Sequence, residues 1–359
     1  MAIVANTHTH VIGVDTHAAT HTYALLSAPT GALEATATFP ATAAGTRRAL
    51  SWIGRRTGGD LEAVLVVVEG TGSYGAQVTD AAQQACYRVV EAPPVPKAAR
   101  RGRGKSDELD AELIAHAALS LPTDRLREPR QGDGTRAALR ILLSAREQIT
   151  TQRTATLNAL TALLRTHDLG IDARRPLSAS QVTKITAWEP GSGQDLAAAT
   201  ARREATRLAR AITAHDRDLK NNTTELTALL KDHPAGPVLL AQPGLGPVNA
   251  ATILTTWSHP GRIHSEAAFA AIAGVSPLPA SSGNTIRHRL NRTGDRRLNR
   301  ALHTIAVNRM IHDPRTRQYV ARKRAEGRTT AEIRRSLKRY IARHLYRLLN
   351  NPPLPTAAA

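Results

Sequence analysis

Val11-Ile12-Gly13-Val14-Asp15 is a short apolar run that ends on an acid, and Leu65-Val66-Val67-Val68-Glu69 repeats that form further along the chain. Both are rich in β-branched residues and are followed by turn formers, Thr16 to Ala19 in one case and Gly70 and Gly72 in the other. This is the pattern of strands buried on both faces. A carboxylate at the open end of such a strand is a common way to build a site on an α/β sheet. Outward from these runs, residues 9–27 read as strand, turn, strand, and Leu33 to Phe39 alternates as a third strand. Thr42 to Arg56 has a helical pattern, Leu61 to Glu69 is a strand, Tyr74 to Ala85 a helix and Tyr87 to Ala92 a strand.

A third group of acids lies in Lys105-Ser106-Asp107-Glu108-Leu109-Asp110-Ala111, after the Arg/Lys/Gly/Pro-rich stretch Pro93 to Gly104 and before the helical pattern Ala111 to Leu119. A spacing of three puts the carboxylates of Asp107 and Asp110 on one helix face, where they repel unless a positive group, such as a divalent metal, lies between them. Two hard cations about 3.5–4 Å apart need several oxygen ligands, and Asp15 and Glu69 are the further candidates. The plain alternative is that acids after strands serve as turn or cap residues, with Asp107 the N-cap of its helix. Three such placements within one alternating β and α stretch favour the metal site. Three hairpin-linked strands followed by αβαβ and a helix is the order of an α/β RNase H-like fold. That fold carries its carboxylates on the first strand, the fourth strand and the final helix, where Asp15, Glu69 and Asp107/Asp110 fall.

Lys and Arg number 48 against 29 Asp and Glu, a net charge of +19, the electrostatic footprint of a nucleic-acid binder. Between Arg287 and Arg347 there are nineteen Lys/Arg and four Asp/Glu, a surplus of fifteen, so the C-terminal part is the main polyanion-facing region. Such a surplus repels itself without a counter-anion. The predominance of arginine suits bidentate phosphate contacts. One cysteine, Cys86, excludes a disulfide framework or a cysteine zinc site and suits a reducing cytosol. With no apolar run of about twenty residues and no signal-peptide pattern, the expectation is a soluble, cytoplasmic protein with no membrane partner. The histidines show no ligand spacing and are expected at the surface or facing phosphate.

Leucines recur at helical, near-heptad spacing from about Thr135 to Arg165 and again from Leu196 to Leu230, separated by a breaker-rich stretch with Pro176, Pro190, Gly191 and Gly193. This predicts a coiled-coil helical hairpin, used for dimerisation or as an internal spacer. Three regions follow: 1–128, an α/β domain; 129–232, the helical hairpin; and 233–359, a basic, mainly α-helical domain. The last opens with Gln242-Pro243-Gly244-Leu245-Gly246-Pro247. A Gly-x-Gly hairpin between helices presents backbone N–H groups of Gly244 and Gly246 to a phosphate, although a plain helix–turn–helix packing element reads equally well. Ser281-Ser282-Gly283 precedes the tract Arg287, Arg289, Arg292, Arg296, Arg297 and Arg300. Together with Lys105, these are the expected nucleic-acid contacts. A hydroxyl in an arginine-flanked loop suits attack on phosphorus, because the guanidiniums offset the phosphate charge.

Taken together, Gly13-Val14-Asp15, Glu69-Gly70-Thr71-Gly72-Ser73-Tyr74, Lys105 to Ala111, Pro243-Gly244-Leu245-Gly246, and Gly274-Val275-Ser276-Pro277 with Ser281-Ser282-Gly283 and Gly294 resemble the DEDD-type transposases of insertion-sequence family 110. That family includes the Piv/MooV DNA invertases and the bridge-RNA-guided recombinases. The resemblance implies a RuvC-like N-terminal domain, a coiled-coil middle and a C-terminal transposase domain. It implies that Asp15, Glu69, Asp107 and Asp110 bind Mg²⁺ (or Mn²⁺), and that Ser282, or failing it Ser281, links covalently to DNA. The implied partners are target and donor double-stranded DNA, a structured guide RNA, and a second copy of the chain in a homodimer that pairs into a tetramer. Two other readings stay open on the residues: a metal-dependent junction nuclease or resolvase that needs no serine, and a non-enzymatic nucleic-acid-binding protein.

Overall fold

The computed structural model describes residues 2–95, 104, 106–130, 134–189, 195–280, 288–291 and 294–351. Lys105, Ser281, Ser282, Arg287 and Arg292 lie outside the described residues. The chain forms two compact units, residues 1–132 with 257–268, and residues 133–256 with 269–359.

The first unit is built on a five-stranded sheet of β1 (His10–Thr16), β2 (Thr20–Ser27), β3 (Leu33–Pro40), β4 (Val64–Val68) and β5 (Arg88–Glu91), in the order β3-β2-β1-β4-β5. The first three strands are antiparallel neighbours, whereas β4 runs parallel to β1 and β5 parallel to β4. The antiparallel part needs only tight turns. The parallel part needs crossovers, supplied by α2 (Ala43–Arg56) and α3 (Ala76–Gln84). A short α1 (Val4–Thr7) precedes the sheet, and α4 (Asp107–Leu119) follows it. This mixed α/β arrangement is consistent with an RNase H-like fold.

Side chains alternate across the sheet, and each face has its own cover. Ile12, Val14, Val66 and Val68 pack with Ala49, Trp52 and Ile53 of α2 and Val78 and Ala82 of α3. Val11, Leu65, Val67 and Val90 pack with Ala111, Ile114, Ala115 and Ala118 of α4. Burial on both faces explains why β1 and β4 read as continuous apolar runs rather than alternating ones.

Gly13 sets how closely α4 approaches. A Cβ at that position would stand 2.0 Å from the Ala111 carbonyl oxygen and 2.8 Å from the Ala115 nitrogen, so only glycine admits the helix backbone here. The helix starts at Asp107, one turn before the apolar pattern that predicts Ala111, because its first turn is acidic and carries no hydrophobic periodicity. Ser106, not Asp107, is the N-cap: its side chain accepts from the Leu109 N–H at 3.2 Å. The cap reading of Asp107 is thereby corrected, and its carboxylate is left for other work.

In the second unit α5 (Gly134–Thr166) and α7 (Leu196–Asp232) lie antiparallel. Arg153 pairs with Asp216, and the Asn222 amide donates to the Leu142 carbonyl oxygen at 2.9 Å. Arg146 donates to the Leu219 carbonyl oxygen at 3.0 Å and to the Thr223 hydroxyl at 2.9 Å. The breaker-rich connection contains a helix that its prolines and glycines concealed, α6 (Ala179–Thr186), opened by a Ser178/Gln181 capping box. Leu160, Leu164, Val182, Ile185, Leu208 and Ile212 form the core between these three helices. Beyond them come α8 (Gly236–Leu240), α9 (Pro247–Trp257), α10 (Glu266–Ile272), the two-stranded β6 (Leu278–Pro279) and β7 (His288–Arg289), then α11 (Arg296–His312), α12 (Pro314–Ala325) and α13 (Thr330–Asn350). Among the described residues no helix is long and apolar enough to cross a membrane.

The expected effect of Gly13→Ala is a lower denaturation midpoint, equivalent to about 1–3 kcal/mol, the usual cost of overpacking. Urea titration followed by circular dichroism measures it. A variant as stable as the parent would mean that the α4 backbone yields freely at this crossing.

Candidate metal centre

Asp15 sits at the C-terminal end of β1, nearly buried at 5 % exposure. Strand alternation puts it on the face of Val11 and Gly13, the face that α4 covers. Glu69 follows β4 directly, and the parallel register brings it beside Asp15: its N–H donates to the Val14 carbonyl oxygen at 3.1 Å, and its own carbonyl oxygen accepts from the Thr16 hydroxyl at 3.0 Å. Continuing the alternation of Leu65 and Val67 points its side chain to the α4 face. Asp107 and Asp110 lie in the first turn of α4, where the positive end of the helix dipole favours carboxylates.

Two of these acids, Asp15 and Asp107, meet at a residue that sequence reasoning set aside. The His17 Nε2 lies 3.1 Å from the Asp15 Oδ2 and 3.5 Å from the Asp107 Oδ1. One ligand atom from each of Asp15, His17 and Asp107 falls within 4.8 Å of the others, a grouping that could hold a metal ion. The signal that would have found it is Asp15-Thr16-His17, an acid and an imidazole two apart at a strand end. Other histidines also depart from the surface expectation: His8, His21 and His259 are buried. His21 is held below the ordinary histidine pKa, chiefly by burial.

The Asp15 carboxyl is pushed above the usual carboxylate range, chiefly by burial; the charge and hydrogen bond of His17 pull it down, and the charges of Asp110 and Asp107 push it up. Asp107 and Asp110 therefore both lie near enough to be felt at Asp15. A carboxylate made costly by burial and by like charges is one that a cation relieves. The donor set, carboxylate oxygens with one imidazole nitrogen, fits a divalent metal.

The other expected contacts lie in the second unit. Gly244 has a left-handed backbone, φ +73°, and its Cα faces α11: an added Cβ would stand 3.1 Å from the Asn308 Oδ1 and 3.3 Å from the Ile305 carbonyl oxygen. Arg309 donates to the Pro243 carbonyl oxygen at 2.7 Å, pinning the hairpin to the same helix. Gly246 faces open space. Arg289, Arg296, Arg297 and Arg300 are exposed, and Arg297 pairs with Glu147.

With this geometry in view, the comparisons with known proteins are specific. Residues 12–167, which span every acid of the first unit's centre, match a transposase family model of the DEDD type from IS110. Residues 237–321 match the model of the transposase IS116/IS110/IS902 family. The chain belongs to the IS110 family of transposases, and is thus an enzyme of DNA transposition. It is 27% identical over 342 residues to an uncharacterized 43.6 kDa protein of insertion element IS110 from Streptomyces coelicolor, covering 80% of this chain and 82% of that one. It is 28% identical over 305 residues to an uncharacterized 42 kDa protein of insertion element IS900 from Mycobacterium paratuberculosis, covering 72% and 76%. A putative transposase of Sinorhizobium fredii is 28% identical over 250 residues, covering 63% and 60%.

The raised pKa of Asp15 has a definite sign for stability. Folding favours its protonated form, so the ionised form costs stability that appears as pH rises through and above the unfolded value of about 3.9. Without metal, Asp15→Asn should melt above the parent at neutral pH, with the gap closing as pH falls below about 4. Mn²⁺ or Mg²⁺ at about a hundred times its Kd should stabilise the parent by about 2.7 kcal/mol and the variant much less. Thermal melts across pH and metal concentration measure both. Equal metal responses would remove Asp15 from the centre.

Proposed function

We propose that this transposase cuts and rejoins DNA site-specifically, through a serine nucleophile and an acidic tetrad on a RuvC-like, RNase H-like domain. The observation that carries this reading is the meeting of Asp15 and Asp107, from a strand end and a distant helix start, at His17. Asp15, Glu69, Asp107 and Asp110 would hold Mg²⁺ (or Mn²⁺), with the His17 imidazole beside Asp15 and Asp107 as a further donor. The metal, when bound, supplies Lewis-acid stabilisation of charge on a phosphate oxygen.

The chain's own residues do the rest. Ser282, with Ser281 as the fallback, attacks a DNA phosphorus; a P–Oγ bond forms, the P–O3′ bond breaks, and the serine proton is lost as the 3′-oxygen gains one. The phosphoserine ester conserves the bond energy for religation to a second 3′-hydroxyl. Arg287, Arg289, Arg292, Arg296, Arg297 and Arg300, with Lys105 and the Gly244–Gly246 hairpin, hold target and donor phosphates. The three regions 1–128, 129–232 and 233–359 serve as catalytic, coiled-coil and transposase domains. The α5–α7 pair sets dimerisation and, through dimer pairing, a tetramer. A structured guide RNA directs target choice, and the basic surplus of the chain accommodates it.

The test is the covalent adduct. Labelled target DNA on denaturing gels should show a protein–DNA band with the parent and none with Ser282→Ala, while the variant still folds and still binds DNA. Ser281→Ala run in parallel identifies the attacking serine. If the double serine variant recombines DNA normally, a four-carboxylate nuclease that activates water takes the place of this mechanism. That second reading draws on the assembly of the acids within one unit.

A further inference from the structure

The face of α2 is charged, open and unused by the centre described above. We infer that Arg47, Arg48 and Arg55 form a docking stripe for the phosphate backbone of duplex DNA. The helix sequence Ala43 to Arg56 contains four arginines and no acid. At about 100° per residue, Arg47, Ser51, Arg55 and Arg48 share one stripe, and they line a groove of about 690 Å³ floored by Trp52 and Phe39. Arg47, Arg48 and Arg55 are exposed, and none of them has an ion-pair partner among the described residues. Arg55 lies in the last turn, where the helix dipole welcomes a cation. Arg47 and Arg48 lie too early in the helix for that account.

Spacing and chemistry select the occupant. Arg48 and Arg55 are seven residues apart, about 10.5 Å along the axis, far enough that each reaches its own phosphate on a duplex that carries one charge per about 1.7 Å of its axis. The aromatic floor offers no open face for a base to stack on: Trp52 is 6 % exposed with the Arg56 guanidinium over its ring at 4.6 Å, and the half-buried Phe39 is packed edge-on against Tyr23 and Trp52. Single strands are gripped by stacking on open rings, so what remains is a surface for backbone alone. The helix begins at the end of the sheet that carries the acids, because Pro40, just before it, pairs with Thr20 at the far end of the β1–β2 turn. The inference deepens the transposase reading by assigning it a further DNA surface.

The test is binding without cleavage, so its outcome is independent of the serine and of the acids. Fluorescence anisotropy across a salt series would compare the parent, Arg47→Ala/Arg48→Ala/Arg55→Ala, and the corresponding triple lysine variant on a duplex DNA, a duplex RNA and a single-stranded DNA of one sequence. The alanine variant should lose about 2–3 units of salt slope on duplex DNA, at roughly 0.9 per phosphate contact, with an unchanged melting temperature, while the lysine variant keeps the parent slope. An unchanged slope for the alanine variant overturns the inference. A drop confined to duplex RNA overturns it in favour of an RNA surface, and one confined to single strands does so in favour of a strand groove. Absence of duplex binding by the parent itself would overturn the DNA-binding reading of the whole chain along with this one.

Discussion

The close crossing of α4 over β1 at Gly13 governs the N-terminal unit. Ala111 and Ala115 meet the strand where any Cβ would collide with helix backbone, and around this point the second face of the sheet is sealed by Ile114 and Ala118. The same contact fixes the height of the first turn of α4 above the end of β1. A carboxylate centre needs that precision, because a metal tolerates errors of only tenths of an ångström in its ligand distances. Small residues at the crossing therefore have a chemical consequence at the helix start, one turn away.

Charge is distributed by the fold as well as by the sequence. In the first unit, acids gather where strand ends and a helix start converge, and burial of Asp15 makes their mutual repulsion expensive. On the other face of the sheet α2 carries only cations. A further ion pair lies within the unit: Arg262, with 2 % of its side chain exposed, donates to both carboxylate oxygens of Glu91 at 2.9 and 3.1 Å. It ties residues 257–268, remote in sequence, to the last strand. Removing one partner of such a pair leaves an uncompensated buried charge, a cost of about 3–5 kcal/mol.

The second unit uses polar groups differently. Asn222 is buried between α5 and α7 and bonds the Leu142 carbonyl oxygen, with Arg146 satisfying the Leu219 carbonyl oxygen and the Asn222 side chain beside it. A buried amide in an apolar helix seam admits only the register in which its partners meet. The leucines supply the adhesion, and this polar layer selects one alignment among those that leucines alone would allow.

The sequence by itself determined the elements of the sheet, because burial on both faces leaves β-branched runs that local pattern exposes, and it determined the long helices through leucine periodicity. It singled out Asp15, Glu69, Asp107 and Asp110, since acids at strand ends and a helix start interrupt those patterns visibly. Only the tertiary structure decided that His17 joins Asp15 and Asp107, because that meeting depends on how far α4 descends onto β1, a distance set by packing at Gly13 and invisible to periodicity. It likewise decided that Ser106 caps α4, that α6 forms despite its breaker-rich surroundings, and that Gly244 faces α11. The meeting of His17 with Asp107 and the packing of Gly244 on α11 depend on partners far away in the chain, and a one-dimensional pattern carries no information on which distant groups will lie close together. The Ser106 and Ser178 caps are local contacts, but choosing among neighbouring cap candidates took the backbone geometry.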